Sequence, residues 1–195
     1  LAPVADPAEV PLAVATALDL PVEAETALTD RLRHALHARQ LLLLLDNCEH
    51  LLDAVAEIVH LLLTTCPAVQ VLATSRAALQ LRSEHRVPVE PLASPGAQAT
   101  FPAIVASDAV RLFVERAQAV MPAFHLTPGN APSIAAICRH LDGLPLAIEL
   151  AAARVVVLSP ETLLAQVTDR LQVLRGRQRD RPTRQQTMAA TITWS

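Results

Sequence analysis

Lysine is missing from this sequence altogether: every one of its 16 basic residues is an arginine. Glycine is scarce too, with four residues scattered at 96, 129, 143 and 176. A Gly-rich phosphate loop ending in Gly-Lys-Ser/Thr therefore cannot be drawn from the chain. Tyrosine is absent and aromatics make up 2 %, which argues against single-strand nucleic-acid binding by base stacking, because that needs aromatic platforms. A net charge of −3 gives no overall attraction to a phosphate backbone. Cys48, Cys66 and Cys138 are odd in number and sit in apolar settings, which suits a reducing cytosol better than a disulfide framework. The longest apolar stretch, Gly143 to Leu158, is interrupted by Glu149 and Arg154, so no membrane span is expected, and no signal peptide opens the chain. The expected location is cytoplasmic.

What the sequence has is hydrocarbon. Apolar residues make up 52 % and charged residues 18 % of 195, enough for a packed core in one domain or two small ones. That core must be built from Leu, Ala and Val. The first segment, "LAPVADPAEVPLAVATALDL", places Asp6 and Pro7 where a helix cap and first turn belong, with apolar spacing out to Leu18; Leu1 to Val4 read as the tail of a strand. "TALTDRLRHALHARQ" predicts a second helix, with Thr29 or Asp30 near its cap and Leu28, Leu32, Ala35 and Leu36 on one face.

"LLLLLDNCEH", residues 41–50, is open to two readings. Leucine alone would continue a helix. A short run with no polar side, bounded by polar signals, fits instead a strand buried on both faces of a parallel sheet. "EHLLDAVAEIVHLLLTTCP" then predicts a long amphipathic helix stopped at Pro67, and "VQVLATSR" a second strand. Strand, helix, strand is the rhythm of a parallel βαβ unit. "HRVPVEPL" reads as a weaker third strand. After "ASPGAQATFPAIVAS" strand signals stop, and "DAVRLFVERAQAV", "NAPSIAAICRHL", "LPLAIELAAARVVVL" and "PETLLAQV" predict a small helical domain. Arginines 170, 175, 177, 179, 181 and 184 mark a basic linker, read as a solvated hinge or an interdomain contact rather than a DNA contact.

In open parallel sheets ligands sit beyond the carboxyl ends of the strands. Asp46 and the cluster Thr74, Ser75 and Arg76 both fall there, on strands expected to be neighbours. A carboxylate can hold Mg²⁺ through coordinated waters, and a guanidinium can meet a terminal phosphate with its planar donor fork. Together they point to a nucleotide triphosphate site; singly, an acid after a strand is more often a helix cap than a metal ligand. "DGLPLA" is likewise open: a helix stop and restart, or a close-approach glycine followed by a rigid apolar wall. Cys48, His50, His60 and Cys66 do not make a zinc site, because the two pairs are separated by more than ~15 Å along a helix rising ~1.5 Å per residue. A Cys48–His50 nucleophile pair has no oxyanion hole in view.

The ordered set "LLLLLDNCEHLL", "VLATSRAAL", "DAVRLFVERA", "RHLDGLPLAIELAAARV" and "RQQTMAATITWS" resembles bacterial members of the NB-ARC class of signal-transducing (STAND) NTPases. The nearest likeness is to large regulators related to the antibiotic-regulatory and maltose-regulatory transcription activators, and it covers essentially the whole chain. The resemblance implies an α/β fold: a partial P-loop NTPase parallel sheet over 1–95, a small all-α domain over 96–174, and a linker with the first helix of a winged-helix domain over 175–195. It implies that Asp46 stands on the Mg²⁺ side, through water. It gives Arg76, with Thr74 beside it, the terminal phosphate, and makes Gly143, Leu144 and Pro145 the turn that covers the adenine. ATP or ADP with Mg²⁺ would be the cofactors of the parent protein.

Two departures shape the expected function. Asn47 stands where many such ATPases carry a second acid, and an amide is no general base, so turnover would be slow at best. The phosphate loop is absent, and since the chain opens at Leu1 and stops at Ser195 inside a pattern, it is expected to be a piece of a longer protein whose N-terminal P-loop segment and C-terminal winged-helix and TPR-like repeats are its partners. Oligomerisation is compatible with this reading; DNA contact would belong to a separate domain, and no membrane is involved. The chain alone is expected to be inactive and to bind nucleotide poorly. A parallel sheet lacking its first strand would expose an apolar edge. The alternative is a protein-interaction module that has lost nucleotide chemistry; a hydrolytic enzyme in its own right is a third reading.

Overall fold

The structure, a computed structural model, describes residues 1–21 and 27–177. It falls into two compact units, residues Leu1–Pro88 and Val89–Ser195. The chain is mixed α/β and mostly helical, with a small parallel sheet of two strands among the described residues.

In the first unit Asp6 caps a 3-10 turn, Pro7–Glu9, its carboxylate accepting the Ala8 N–H at 2.9 Å. Helix α1 (Val10–Ala17) follows, then α2 (Leu28–Leu36), whose first turn contains Thr29 and Asp30 rather than being capped by them. Residues Leu1 to Val4 form a turn closed by Val4 N–H to Leu1 C=O at 3.0 Å, so the expected strand tail is not there. The leucine run is β1 (Leu41–Leu45). Helix α3 (Leu52–Thr65) comes next, burying Val55, Ile58, Val59 and Leu62 at helical spacing, and it ends just before Pro67, which cannot extend it. Strand β2 (Val69–Ala73) then pairs parallel to β1, with Leu41 opposite Val69 and Leu45 opposite Ala73. The leucines resolve as a strand because no polar face directs a surface helix there, while β2 offers a ladder partner.

One expectation is overturned in detail. β1 is buried on one face only. Leu43 and Leu45 point into a core with Leu32, Leu36, Val55 and Leu62, but Leu42 and Leu44 are 61 % and 60 % exposed, and Leu72 on β2 is 54 % exposed. The pleat sends successive side chains to opposite faces, and in this unit helices cover only one. A second correction concerns "HRVPVEPL", which forms no strand. Pro88 and Pro91 bring no N–H donors, and Val87 and Val89 are 84 % and 91 % exposed.

Among the described residues the regular elements of the second unit are all helical: α4 (Phe101–Val105), α5 (Asp108–Val120), α6 (Ala131–His140), α7 (Pro145–Ala152), a 3-10 turn (Ala153–Val156) and α8 (Pro160–Arg177). Its core brings together Phe113, Ile134, Ile137, Ile148 and Leu163, all buried. Phe113 and Phe124 meet with ring centroids 6.3 Å apart, tilted at 55°, and Arg116 Nε reaches Glu149 Oε1 at 3.5 Å between α5 and α7. Residues 92–96, which the sequence leaves at the boundary, are tied into this unit: Leu92 N–H donates to Gly143 C=O at 2.9 Å, and Arg139 Nη1 donates to Pro95 C=O at 3.1 Å. The basic stretch is not all linker, because α8 runs to Arg177. The expected winged-helix start, with Arg179, Arg181 and Arg184, lies outside the described residues.

Candidate functional site

The carboxyl ends of β1 and β2 form one rim. Two bonds extend the ladder past the last paired residues: Thr74 N–H donates to Leu45 C=O at 2.8 Å, and Cys48 N–H donates to Thr74 C=O at 3.0 Å. Between them Asn47 turns the chain with φ 62°, a left-handed conformation that Asn tolerates better than most residues. That turn aims the Asn47 N–H at Thr74 Oγ1, 3.0 Å away. The same hydroxyl donates to Asp46 Oδ1. Thr74 thus uses one lone pair and its proton to join the two strand ends, while the Asp46 side chain stays exposed.

The second pairing across the rim joins Glu49 and Arg76. Arg76 Nε donates to Glu49 Oε1 at 2.6 Å, the Arg76 side chain 72 % exposed and the Glu49 side chain 20 %. The Glu49 backbone N–H, and after it the Arg76 side chain, hold the Glu49 carboxyl below the usual carboxylate range. His50 donates Nε2–H to Val4 C=O at 2.8 Å and takes the Asn47 side-chain amide on Nδ1 at 3.5 Å. Beside β2 a cleft of ≈ 600 Å³ is lined by Val71, Ala73, Arg76, Glu84, Arg86 and Pro88.

The structure therefore joins Asp46 to Thr74 and sets Arg76 against Glu49 on the same rim. Gly143, Leu144 and Pro145 belong to the second unit, where they lead into α7. Gly143 has φ +66°, and a Cβ there would stand 2.1 Å from the Leu92 carbonyl oxygen. The close approach foreseen at this glycine is thus made to the chain's own backbone. Leu144 is the N-cap of α7 and Pro145 its exposed first residue. Sequence reasoning missed Asn47 as the turn and Glu49 as the partner of Arg76. Asn after a strand was a usable signal for the first; the second needed the strand register.

Cys48 is fully buried, with its thiol toward Leu45 C=O at 3.5 Å, and burial pushes that thiol up from its ordinary value. It is not poised as a nucleophile. His60 is exposed on α3, whereas Cys66 is buried against Arg33 C=O at 3.6 Å. No group of three or more His, Cys, Asp and Glu among the described residues is arranged to hold a metal directly. A hexahydrate-like Mg²⁺ asks for less: one carboxylate and a hydroxyl suffice when waters fill the remaining positions, and Asp46 with Thr74 supplies that pair. The rim residues fit a cation and a terminal phosphate; they include no lysine or glycine loop for the remaining phosphates.

Comparison with known proteins adds a second line. The chain is 40 % identical over all 195 residues to an uncharacterised protein of Mycobacterium tuberculosis, of which it spans 47 %. It is equally similar over its whole length to a protein of the same organism provisionally named an HTH-type transcriptional regulator, of which it spans 21 %. Matching proteins of Mycobacterium bovis stand at the same identity. The chain thus covers about half the length, or less, of these relatives. No family model and no solved structure matches it.

Proposed function

We propose that this chain is the central segment of a nucleotide-dependent regulatory switch of the STAND type, acting within a transcriptional regulator. The observation that supports the reading is the shared rim: two parallel strands end together, one leading into Asp46, which Thr74 engages, and the other into Arg76, which Glu49 engages. The likeness to a provisionally named HTH-type regulator supports the regulatory half. ATP or ADP would bring the phosphates and Mg²⁺ the charge that Asp46 orients, and Arg76 would contact the terminal phosphate. Asn47 beside Asp46 keeps turnover slow, because it cannot take a proton from water. Nucleotide state would then bias one arrangement of the longer protein over another. The site of action is cytoplasmic, and the P-loop would come from sequence outside these 195 residues.

The test is a titration of Mg²⁺ with labelled ADP or ATP. The 195-residue chain alone should bind only in the millimolar range, and a longer chain carrying the flanking sequence should bind in the micromolar range, lost on Asp46→Asn. Micromolar, Mg²⁺-dependent binding by the short chain overturns the view that a phosphate loop must be added. No binding by the longer chain favours a second reading, a protein-interaction module without nucleotide chemistry. The exposed apolar face of Leu42, Leu44 and Leu72 speaks for that alternative.

A further inference from the structure

We infer that Glu49 is the resting-state partner of Arg76, a positioning carboxylate that occupies the guanidinium until a phosphate displaces it. The inference rests on the reading of Arg76 as the phosphate-contacting group, and it says how that group is governed. The two residues lie 27 apart in sequence, each in the turn after its strand, and only the parallel register of β1 and β2 brings them together.

The two partners are unequally exposed. Glu49 is four-fifths covered, whereas Arg76 is mostly in solvent. The carboxylate is therefore the fixed member of the pair, and the guanidinium is the member an incoming anion can reach. The pair engages Nε, one of five N–H donors that a guanidinium carries in its fork. A phosphate arriving along the fork can take two parallel N–H donors at once, a bidentate pairing, whereas Glu49 engages Arg76 through Nε.

The rim's other acid is occupied in parallel, since Thr74 donates its hydroxyl proton to Asp46. Without ligand, then, each charged group on the rim faces a protein partner. A nucleotide whose terminal phosphate reaches Arg76 exchanges one anion for another; a shorter one leaves the Glu49–Arg76 pair closed. Glu49 so sets the threshold for the rim's response and discriminates by reach.

The experiment uses the 195-residue chain labelled with ¹⁵N, the Arg76 Nε–H resonance, and Mg²⁺-ATP as the probe. In the wild type this resonance should carry the signature of a carboxylate partner and move on titration. Glu49→Gln should shift it before any ligand is added and should tighten Mg²⁺-ATP binding about two- to fivefold, the range expected from removing a competing surface ion pair. In an Arg76→Ala background the same change should give no gain. Unchanged or weaker binding by Glu49→Gln, with Arg76→Ala still impairing binding, overturns the role of Glu49 and leaves the phosphate reading standing. An equal gain in the Arg76→Ala background also overturns it, since Glu49 would then act only by its charge. No binding by any variant at millimolar ligand overturns the phosphate reading of Arg76, and the latch with it.

Discussion

The two units of this chain bury their apolar residues in different ways. The helical unit closes on itself: Phe113, Ile134, Ile137, Ile148 and Leu163 are wholly buried among helices that supply all sides of the core. The α/β unit is one-sided. Its helices pack on the Leu43–Leu45 face of the sheet, and the opposite face presents Leu42, Leu44 and Leu72 to solvent. The unit that carries the charged rim is thus the one whose sheet is left half covered. Composition differs as well: the helical core is rich in Ala and Ile and holds Phe113 and Phe124, whereas the core of the α/β unit is mostly Leu and Val.

Substitutions can sharpen or break this contrast. The largest effect is expected at Phe113→Ala, which empties the centre of the closed core and should cost about 3–5 kcal/mol in a denaturant melt. Gly143→Ala in the same unit should cost roughly 2–4 kcal/mol, since a Cβ would collide with the Leu92 carbonyl from a left-handed backbone. Within β1 the contrast is internal. Leu43→Ala should cost about 2–3 kcal/mol, and Leu44→Ala, one residue on, about 0.5 kcal/mol or less. Equal costs at 43 and 44 would break the comparison, and a cost at 44 that grows with protein concentration would show the open face meeting another copy.

Smaller effects come from the ionisable groups. Burial pushes the Cys138 thiol up to about 12, so alkylation at neutral pH should be slow in the folded chain and reach ordinary rates only with denaturant. The Glu49 carboxyl is held below its unfolded value. Its contribution to stability is therefore present above the ordinary carboxylate range and fades as pH falls through the folded-state value. At pH 7 the wild type should exceed Glu49→Gln by less than about 1 kcal/mol, the scale of an exposed pair, and thermal melts of the two should converge in acid.

Much of the architecture was legible before the structure, and the misses have physical causes. Leu41–Leu45 and Val69–Ala73 could be recognised as parallel strands because an apolar run, an amphipathic helix and a second apolar run leave few other arrangements. A run of identical leucines carries no alternation, however, so nothing in it tells which face is covered. "HRVPVEPL" has β-branched residues at the right spacing, but its prolines and the lack of an adjacent strand leave it unpaired. At the rim, Asp46, Thr74 and Arg76 were legible as residue types at strand ends. The engagement of Arg76 by Glu49 was not, since it depends on two turns meeting across a register. At Gly143 the need for close approach was legible, while its object, the Leu92 carbonyl, was not.

Asn47 has a consequence for how related sequences are compared. With φ at 62° it serves a steric role that glycine or aspartate could also fill, and any lineage keeping this bend is confined to that short menu whether or not it handles nucleotides. Persistence of a small polar residue there would track the shape of the corner. Arg76 is under no such backbone constraint, so its retention or loss from one lineage to the next is the more informative record of whether the rim still has work to do.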